Sequence, residues 1–134
     1  MNDGTIMING KQLNKELLLP EFLDLFPEFR RDGWKISPGN YVCCAQNCDC
    51  YSQFFTITVR FQRKCLNQVR LYPEKTGSDE DAARRACDVW LERRLGTPHE
   101  KNLDITMYEY EWGCVVTEYD SSLEPAYSIV IDYN

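Results

Sequence analysis

Apolar and polar residues alternate most regularly over positions 53–62. Because successive side chains of a strand point to opposite faces, this alternation predicts a strand with one buried and one solvent-exposed face. An exposed face is typical of antiparallel sheets. The apolar set is Phe55, Ile57, Val59 and Phe61, and the polar set is Thr56, Thr58, Arg60 and Gln62.

Weaker alternation and turn residues predict the remaining strands and loops. Asn9-Gly10 is a strong turn signal after the first strand. Two further turn dipeptides predict a loop over 30–40. Trp112-Gly113 fits either a tight turn or a glycine bulge within one long bent strand. The further strands are expected over 5–8, 41–45, 66–72, 104–111, 114–119 and 127–133, with turns over 46–49 and 120–125.

A short helix is predicted over 19–26. The proline at position 20 is tolerated in a first helical turn, and Pro27 ends the run. Helical spacing places four apolar side chains on one face, namely Leu19, Phe22, Leu23 and Phe26.

A longer helix is predicted over 78–95, with signals at both ends. Ser78 is the expected N-cap, and acidic residues follow it in the first turn. Arg93 and Arg94 lie in the last turn, and Gly96 ends the helix. The expected buried face consists of Ala83, Ala86, Cys87, Trp90, Leu91 and Leu95.

Together these elements predict an α+β fold in the order β-α-β-β-β-α-β-β-β. The sheet is expected to be mostly antiparallel, with both helices packed on one face. A length of 134 residues fits a single domain over 1–134. Because a helix followed by strands occurs twice, two similar halves are predicted, at about 19–72 and 78–133.

Negative charge is concentrated towards the C-terminal end. The formal net charge is −6, yet positions 104–134 hold seven carboxylates and no Lys or Arg, so the remainder sums to +1. Nucleic acids and anionic membranes require a basic surface, so neither is an expected partner. A basic protein is a compatible partner, because the field of the chain would accelerate association.

The cellular location is predicted from the first residues and from the cysteines. No basic segment precedes an apolar core, so no secretory signal is expected. No apolar run has the length of a membrane span. Seven cysteines without such a signal indicate reduced thiols and a cytoplasmic location.

Four cysteines close in sequence, Cys43, Cys44, Cys48 and Cys50, most resemble a chemical site. Four thiolates can hold zinc, so a small metal- or redox-binding module is the alternative function. The spacing lacks the two separated pairs of usual zinc sites, and Cys43 and Cys44 would point to opposite faces of a strand. Packing as small apolar residues is therefore the preferred interpretation, and no cofactor is expected.

Two other arrangements would support catalysis. His99, the single histidine, would need a cysteine beside it to form a nucleophilic pair. Glu109 and Glu111 would share a strand face and could act as acid and base. The sequence has no phosphate-binding glycine loop, nucleophile elbow or HExxH motif, so an enzyme is not expected.

A series of short aromatic and apolar motifs lies across 86–133. The motifs are Trp90-Leu91, Leu95-Gly96-x-Pro98, Tyr108-x-Tyr110-x-Trp112-Gly113-x-Val115, Tyr119-Asp120 and Ile129-x-Ile131-x-Tyr133. This pattern resembles small bacterial immunity proteins, which protect a cell from polymorphic or contact-delivered toxins. The acidic loop over 121–125 and the cysteine cluster depart from that pattern, in which the final hairpin is commonly basic or glycine-rich.

The resemblance implies a stoichiometric inhibitor that neutralises a cognate protein toxin in the cytoplasm. Toxins that act on nucleic acids are basic because their substrate is anionic, so an acidic inhibitor can bind the same surface. Charge would set the association rate, and a few desolvated aromatic residues the dissociation rate. The sequence does not decide the oligomeric state. The expected partner-binding residues are Tyr108, Glu109, Tyr110, Glu111, Trp112, Glu118, Asp120 and Glu124.

Overall fold

The computed structural model of the protein describes residues 1–32 and 39–134. Helices α1 and α2 span Leu19–Leu25 and Glu80–Leu95. The strands are β1 Ile6–Ile8, β2 Lys11–Leu13, β3 Arg30–Asp32, β4 Asn40–Cys50, β5 Gln53–Gln62, β6 Cys65–Pro73, β7 Glu100–Lys101, β8 Thr106–Tyr110, β9 Gly113–Tyr119 and β10 Tyr127–Tyr133.

Eight strands form one sheet in the order β3-β4-β5-β6-β10-β9-β8-β7, while β1 and β2 form a separate hairpin. Each neighbouring pair in the sheet is antiparallel. The prediction of an α+β fold with a mostly antiparallel sheet is confirmed, with the short strands β2, β3 and β7 added to the expected order. The division into two similar halves stays a prediction. In the sheet, two four-stranded runs meet at a central seam, where β6 pairs with β10.

Both helices pack on the same face of the sheet, as predicted. Ring centroids of Phe22 in α1 and Phe61 in β5 lie 5.0 Å apart, and those of Trp90 in α2 and Phe55 in β5 lie 5.4 Å apart. Phe55 and Phe61 project from the same side of β5, because an even number of positions separates them. The main hydrophobic core therefore lies between the sheet and the two helices.

The side of the sheet that faces away from both helices is called the open face. No helix or hairpin of the described chain covers it. The side chains that strand parity assigns to the open face include Arg30, Val42, Cys44, Asp49, Phe54, Thr56, Thr58, Arg60, Gln68, Arg70, Tyr72, Glu100, Met107, Glu109, Cys114, Val116, Glu118, Ser128, Val130 and Asp132.

Strand β4 differs from the prediction of a turn over 46–49. It continues to Cys50 because a bulge between Ala45 and Cys48 absorbs the additional residues. The chain reverses at Tyr51 and Ser52, whose φ angles of 53° and 70° are those of a type I′ hairpin turn. The bulge also returns Cys48 and Cys50 to the core side of the strand, where both are buried.

The helix boundaries and faces were predicted with small errors. Asp79 rather than Ser78 is the N-cap of α2, and its carboxylate accepts a 3.0 Å hydrogen bond from the backbone N–H of Ala82. In α1, Leu23 is exposed instead of buried, so Phe22 and Phe26 carry the contact with the core. The predicted loop over 30–40 lies mostly outside the described residues, and its first three residues form β3.

Trp112-Gly113 belongs to a tight turn and not to a bulge in a long strand. Strand β8 ends at Tyr110, and β9 begins at Gly113. A Cβ atom on Gly113 would lie 1.9 Å from the carbonyl oxygen of Asp132. Only glycine therefore permits the close approach of β9 and β10 at this point.

Neither α1 nor α2 combines the length and the apolar character that crossing a bilayer would require.

Candidate functional site

The predicted partner-binding residues do not lie together. One is buried in the core, and the others lie at the two ends of the β8–β9 hairpin. Tyr108 is completely buried, and its hydroxyl donates a 2.7 Å hydrogen bond to the carbonyl oxygen of Gly96. Its assignment to a contact surface is therefore wrong, because it lies beneath α2 on the core side of β8. Glu109 and Tyr110 are the last residues of β8, and Glu111 and Trp112 form the turn to β9. Glu118, Asp120 and Glu124 lie at the opposite end of β9 and in the loop after it.

The aromatic residues near the turn support the fold. The rings of Tyr110 and Trp112 are stacked with centroids 5.3 Å apart, and Trp112 also contacts Tyr133. The Trp112 indole N–H donates a 2.7 Å hydrogen bond to the carbonyl oxygen of Asn2, and its ring lies against Gly4. These contacts hold the N-terminal segment against the end of the sheet, so this end has a structural role.

A different set of carboxylates meets at the far end of β9, and we call it the acidic corner. Glu118 lies on β9, Asp120 and Glu124 lie in the following loop, and Asp104 precedes β8. The fifth carboxylate, Glu80, comes from the first turn of α2 and accepts a 2.7 Å hydrogen bond from the hydroxyl of Tyr119. The acidic corner consists of Glu80, Asp104, Glu118, Asp120 and Glu124, together with Tyr119 and Tyr127.

The acidic corner borders a cleft of about 550 Å³. The β8–β9 ladder ends where Met107 pairs with Val116, so the last residues of β9 project past β8 and leave this space. At the junction the backbone N–H of Thr106 donates a 2.8 Å hydrogen bond to the hydroxyl oxygen of Thr117. The cleft is lined by Asp104, Ile105, Val116, Thr117, Glu118, Tyr119 and Tyr127.

Sequence reasoning missed Glu80. Its place in an acidic first helical turn was sufficiently explained by the helix dipole. Contact between the start of α2 and the loop after β9 brings it to the acidic corner, where Tyr119 meets Glu80 and the carboxylate of Glu124 lies beside Gly77. The available signal was the acidic run over 79–81, but its position relative to the tail depends on the tertiary fold.

Neutralisation of the acidic corner is incomplete. Arg70 forms a 3.2 Å ion pair with Glu118, and the guanidinium of Arg84 lies 5.6 Å from the ring centroid of Tyr127. Within the described residues, the ion pair of Arg84 is with Asp88 and not with a carboxylate of the tail. The acidic corner therefore keeps a net negative charge, since five carboxylates have two arginines beside them.

Local hydrogen bonds fix the protonation states of two members of the acidic corner. Ser122 donates to Asp120 through its hydroxyl and its backbone N–H, and these bonds hold the pKa of Asp120 below its usual range. The hydrogen bond to Glu80 raises the pKa of Tyr119. At neutral pH, Asp120 is therefore a carboxylate and Tyr119 a neutral phenol.

The four clustered cysteines do not converge on a common point. Cys43 faces the core and Cys44 faces the open face, as expected for neighbours on a strand. Burial raises the pKa of Cys43 to about 12 and of Cys48 to about 11, which disfavours the thiolate form of both side chains. In the part of the chain that the structure describes, no group of three or more His, Cys, Asp or Glu side chains is placed to hold a metal ion.

The residues considered for catalysis are placed as follows. His99 lies beside the rings of Tyr108 and Tyr110, and its Nδ1 accepts a 2.7 Å hydrogen bond from the backbone N–H of Glu109. Glu109 belongs to β8, whereas Glu111 lies in the turn, so the expectation that they share a strand face is wrong. His99 thus caps an exposed part of the β8 edge.

Comparison with known proteins provides no assignment. No protein family, curated protein or solved structure matches this chain. The site itself is typical of a binding surface, with carboxylates and tyrosines grouped beside a cleft.

Proposed function

We propose that this chain is a cytoplasmic binding protein of the immunity type, which neutralises a basic protein toxin by one-to-one binding through the acidic corner. The proposal rests on one observation: carboxylates from three separate segments lie at or beside one cleft, because Asp104 and Glu118 line it and Glu80 accepts a hydrogen bond from Tyr119, which also lines it. The role requires binding and no catalytic step. The turn end of the hairpin, including Trp112, is left out of the binding surface because it anchors the N-terminal segment.

The carboxylates would act mainly on the rate of association. Two unit charges about 10 Å apart in water interact by about 0.4 kcal/mol, and physiological salt screens part of this energy. Removing two carboxylates should therefore slow association with a basic partner about two- to fivefold at low salt, and less at high salt.

Apolar side chains around the acidic corner would stabilise the complex once it has formed. Leu103 is 91% exposed, Tyr119 is 47% exposed and Leu123 is 42% exposed. Covering such side chains on binding removes apolar surface from water, at about 25 cal/mol per Å². A central aromatic anchor with an apolar surround is the usual composition of the energetically dominant part of an interface.

The test compares two double variants that remove the same charge. Asp104→Asn with Glu124→Gln changes the acidic corner, and Glu16→Gln with Asp24→Asn changes exposed carboxylates near α1. Tagged wild-type chain is used to capture partners from cells of its native source. A captured basic protein is then expressed alone and together with the chain, and growth and the stoichiometry of the purified complex are measured.

The expected result is growth arrest by the captured protein alone, relief on co-expression, and a one-to-one complex. The acidic-corner variant should associate about two- to fivefold more slowly at low salt, while the α1 variant should associate like the wild type. The proposal is refuted if co-expression does not relieve the arrest, or if both variants slow association equally.

A further inference from the structure

Charge on the open face is divided at the central seam. Among the described side chains, register places the basic residues of the open face on the β3–β6 side, together with Asp49 on β4, and places only acidic residues among the charged ones on the β10–β7 side. The basic positions are Arg30, Arg60 and Arg70, and the acidic positions are Asp132, Glu118, Glu109 and Glu100. One ion pair, Arg70 with Glu118, joins the two halves within the chain.

We propose that the open face binds a second copy of the same chain in a two-fold symmetric dimer. Of the two in-plane axes that lie along or across the strands, only the axis along the strands brings opposite charges together. An axis parallel to the strands at the seam places the basic half of each copy opposite the acidic half of the other. An axis across the strands would place like charges opposite each other, which is unfavourable. The interface is therefore isologous, with the two copies exchanging the same contacts.

Sheet register identifies the central contact. Under this symmetry β5 of one copy lies over β9 of the other, because each is the second strand from the central seam. Arg60 on β5 then faces Cys114 on β9, and the cross-strand neighbours of Cys114 are Asp132 and Glu109. Each guanidinium is thus placed between two carboxylates of the second copy.

The groups in this contact are accessible. Arg60 and Glu109 are exposed, and neither forms an ion pair with any residue that the structure describes. The same symmetry places Thr58 opposite Val116, which is half-buried and contributes an apolar contact.

The area of the open face limits the affinity of the proposed dimer. Eight strands about 4.8 Å apart and about five residues long give a face of about 34 by 17 Å, or about 600 Å² per copy. Covering the whole open face of both copies would bury about 1,200 Å², the lower limit of stable, specific interfaces. Sheet twist limits contact to the central strands, so a dissociation constant in the micromolar range is expected.

The test is a reciprocal charge exchange followed by sedimentation velocity across the micromolar range. Wild-type chain should form a dimer that weakens as salt is raised. Arg60→Glu and Glu109→Arg should each weaken the dimer at least about tenfold, because each creates like-charge contacts. An equimolar mixture of the two variants should dimerise again, because both contacts then pair opposite charges.

Arg63→Glu and Glu111→Arg are the matched controls, since they make the same charge changes in hairpin turns outside the open face. Circular dichroism confirms that every variant is folded. A wild-type chain that stays monomeric overturns the proposal, as does dimerisation that the open-face variants leave unchanged or that their mixture fails to restore. The open face shares only Glu118 with the acidic corner, so this proposal and the toxin-binding proposal can fail separately.

Discussion

Replacing Trp90 by alanine should be among the most destabilising single changes in this protein. The side chain is 2% exposed and packs against Phe55 and Tyr51. Burial of about 150–250 Å² of aromatic surface at about 25 cal/mol per Å² corresponds to about 4–6 kcal/mol. Measured costs of such truncations are about 3–5 kcal/mol, because the surroundings relax into part of the cavity.

A second substitution separates packing from hydrogen bonding at the same position. The Trp90 indole N–H donates a 3.0 Å hydrogen bond to the carbonyl oxygen of Cys50. Trp90→Phe keeps most of the ring contact but removes this hydrogen bond, which should cost about 0.5–1.5 kcal/mol. Val89→Ala, at an exposed neighbouring position of α2, should change stability by less than about 0.5 kcal/mol.

The free energies of unfolding can be measured by urea titration with far-ultraviolet circular dichroism. One low protein concentration is used throughout, so that self-association does not contribute. A cost below about 2 kcal/mol for Trp90→Ala would refute the assignment of Trp90 to the centre of the helix–sheet contact. Equal costs for the alanine and phenylalanine variants would show that packing is not the dominant contribution.

Two further predictions concern the sheet and its response to alkali. Gly113→Ala should lower the free energy of unfolding by at least about 2 kcal/mol in a urea titration, because its Cβ would lie 1.9 Å from the Asp132 carbonyl oxygen. Gly10→Ala should lower it by only about 1 kcal/mol, because nothing lies within 4 Å of the new Cβ. Burial raises the pKa of Tyr108 from 10.0 to about 12, so the folded protein keeps this proton where the unfolded chain loses it. This contribution to stability is complete below pH 10 and disappears as pH rises towards about 12, and the urea midpoint of Tyr108→Phe should fall less steeply over that range.

The sequence predicted the elements whose signals are local. Alternation over 53–62 identified β5, and the apolar face and capping residues of α2 identified its extent to within two residues. The side of the sheet on which the helices pack also followed, because alternation separates an apolar from a polar face. Each of these signals depends only on residues close in sequence: the strand signal on alternate positions, and the helix signal on positions within one or two turns.

Features that depend on pairing between distant residues were not predicted. The bulge in β4 is set by its register with β5, so a break in the alternation was interpreted as a turn. Tyr108 was assigned to a surface because its alternation with Glu109 does not reveal which face α2 covers. The acidic corner combines residues about 40 positions apart, and no periodicity in the sequence connects Glu80 with Tyr119.

The pairing of β6 with β10 at the central seam makes each four-stranded run depend on the other. The hydrogen bonds between β6 and β10 join the final strand of the first run to the final strand of the second, and Val69 and Leu71 lie opposite Ile131 and Ile129 there. In either four-stranded run alone, the backbone groups at the β6 or β10 edge would lack their hydrogen-bond partners, and the apolar side chains there would be exposed. A break in the connection between β6 and α2 would therefore leave two fragments with a strong tendency to reassociate, and this makes the connection a natural point for fragment complementation.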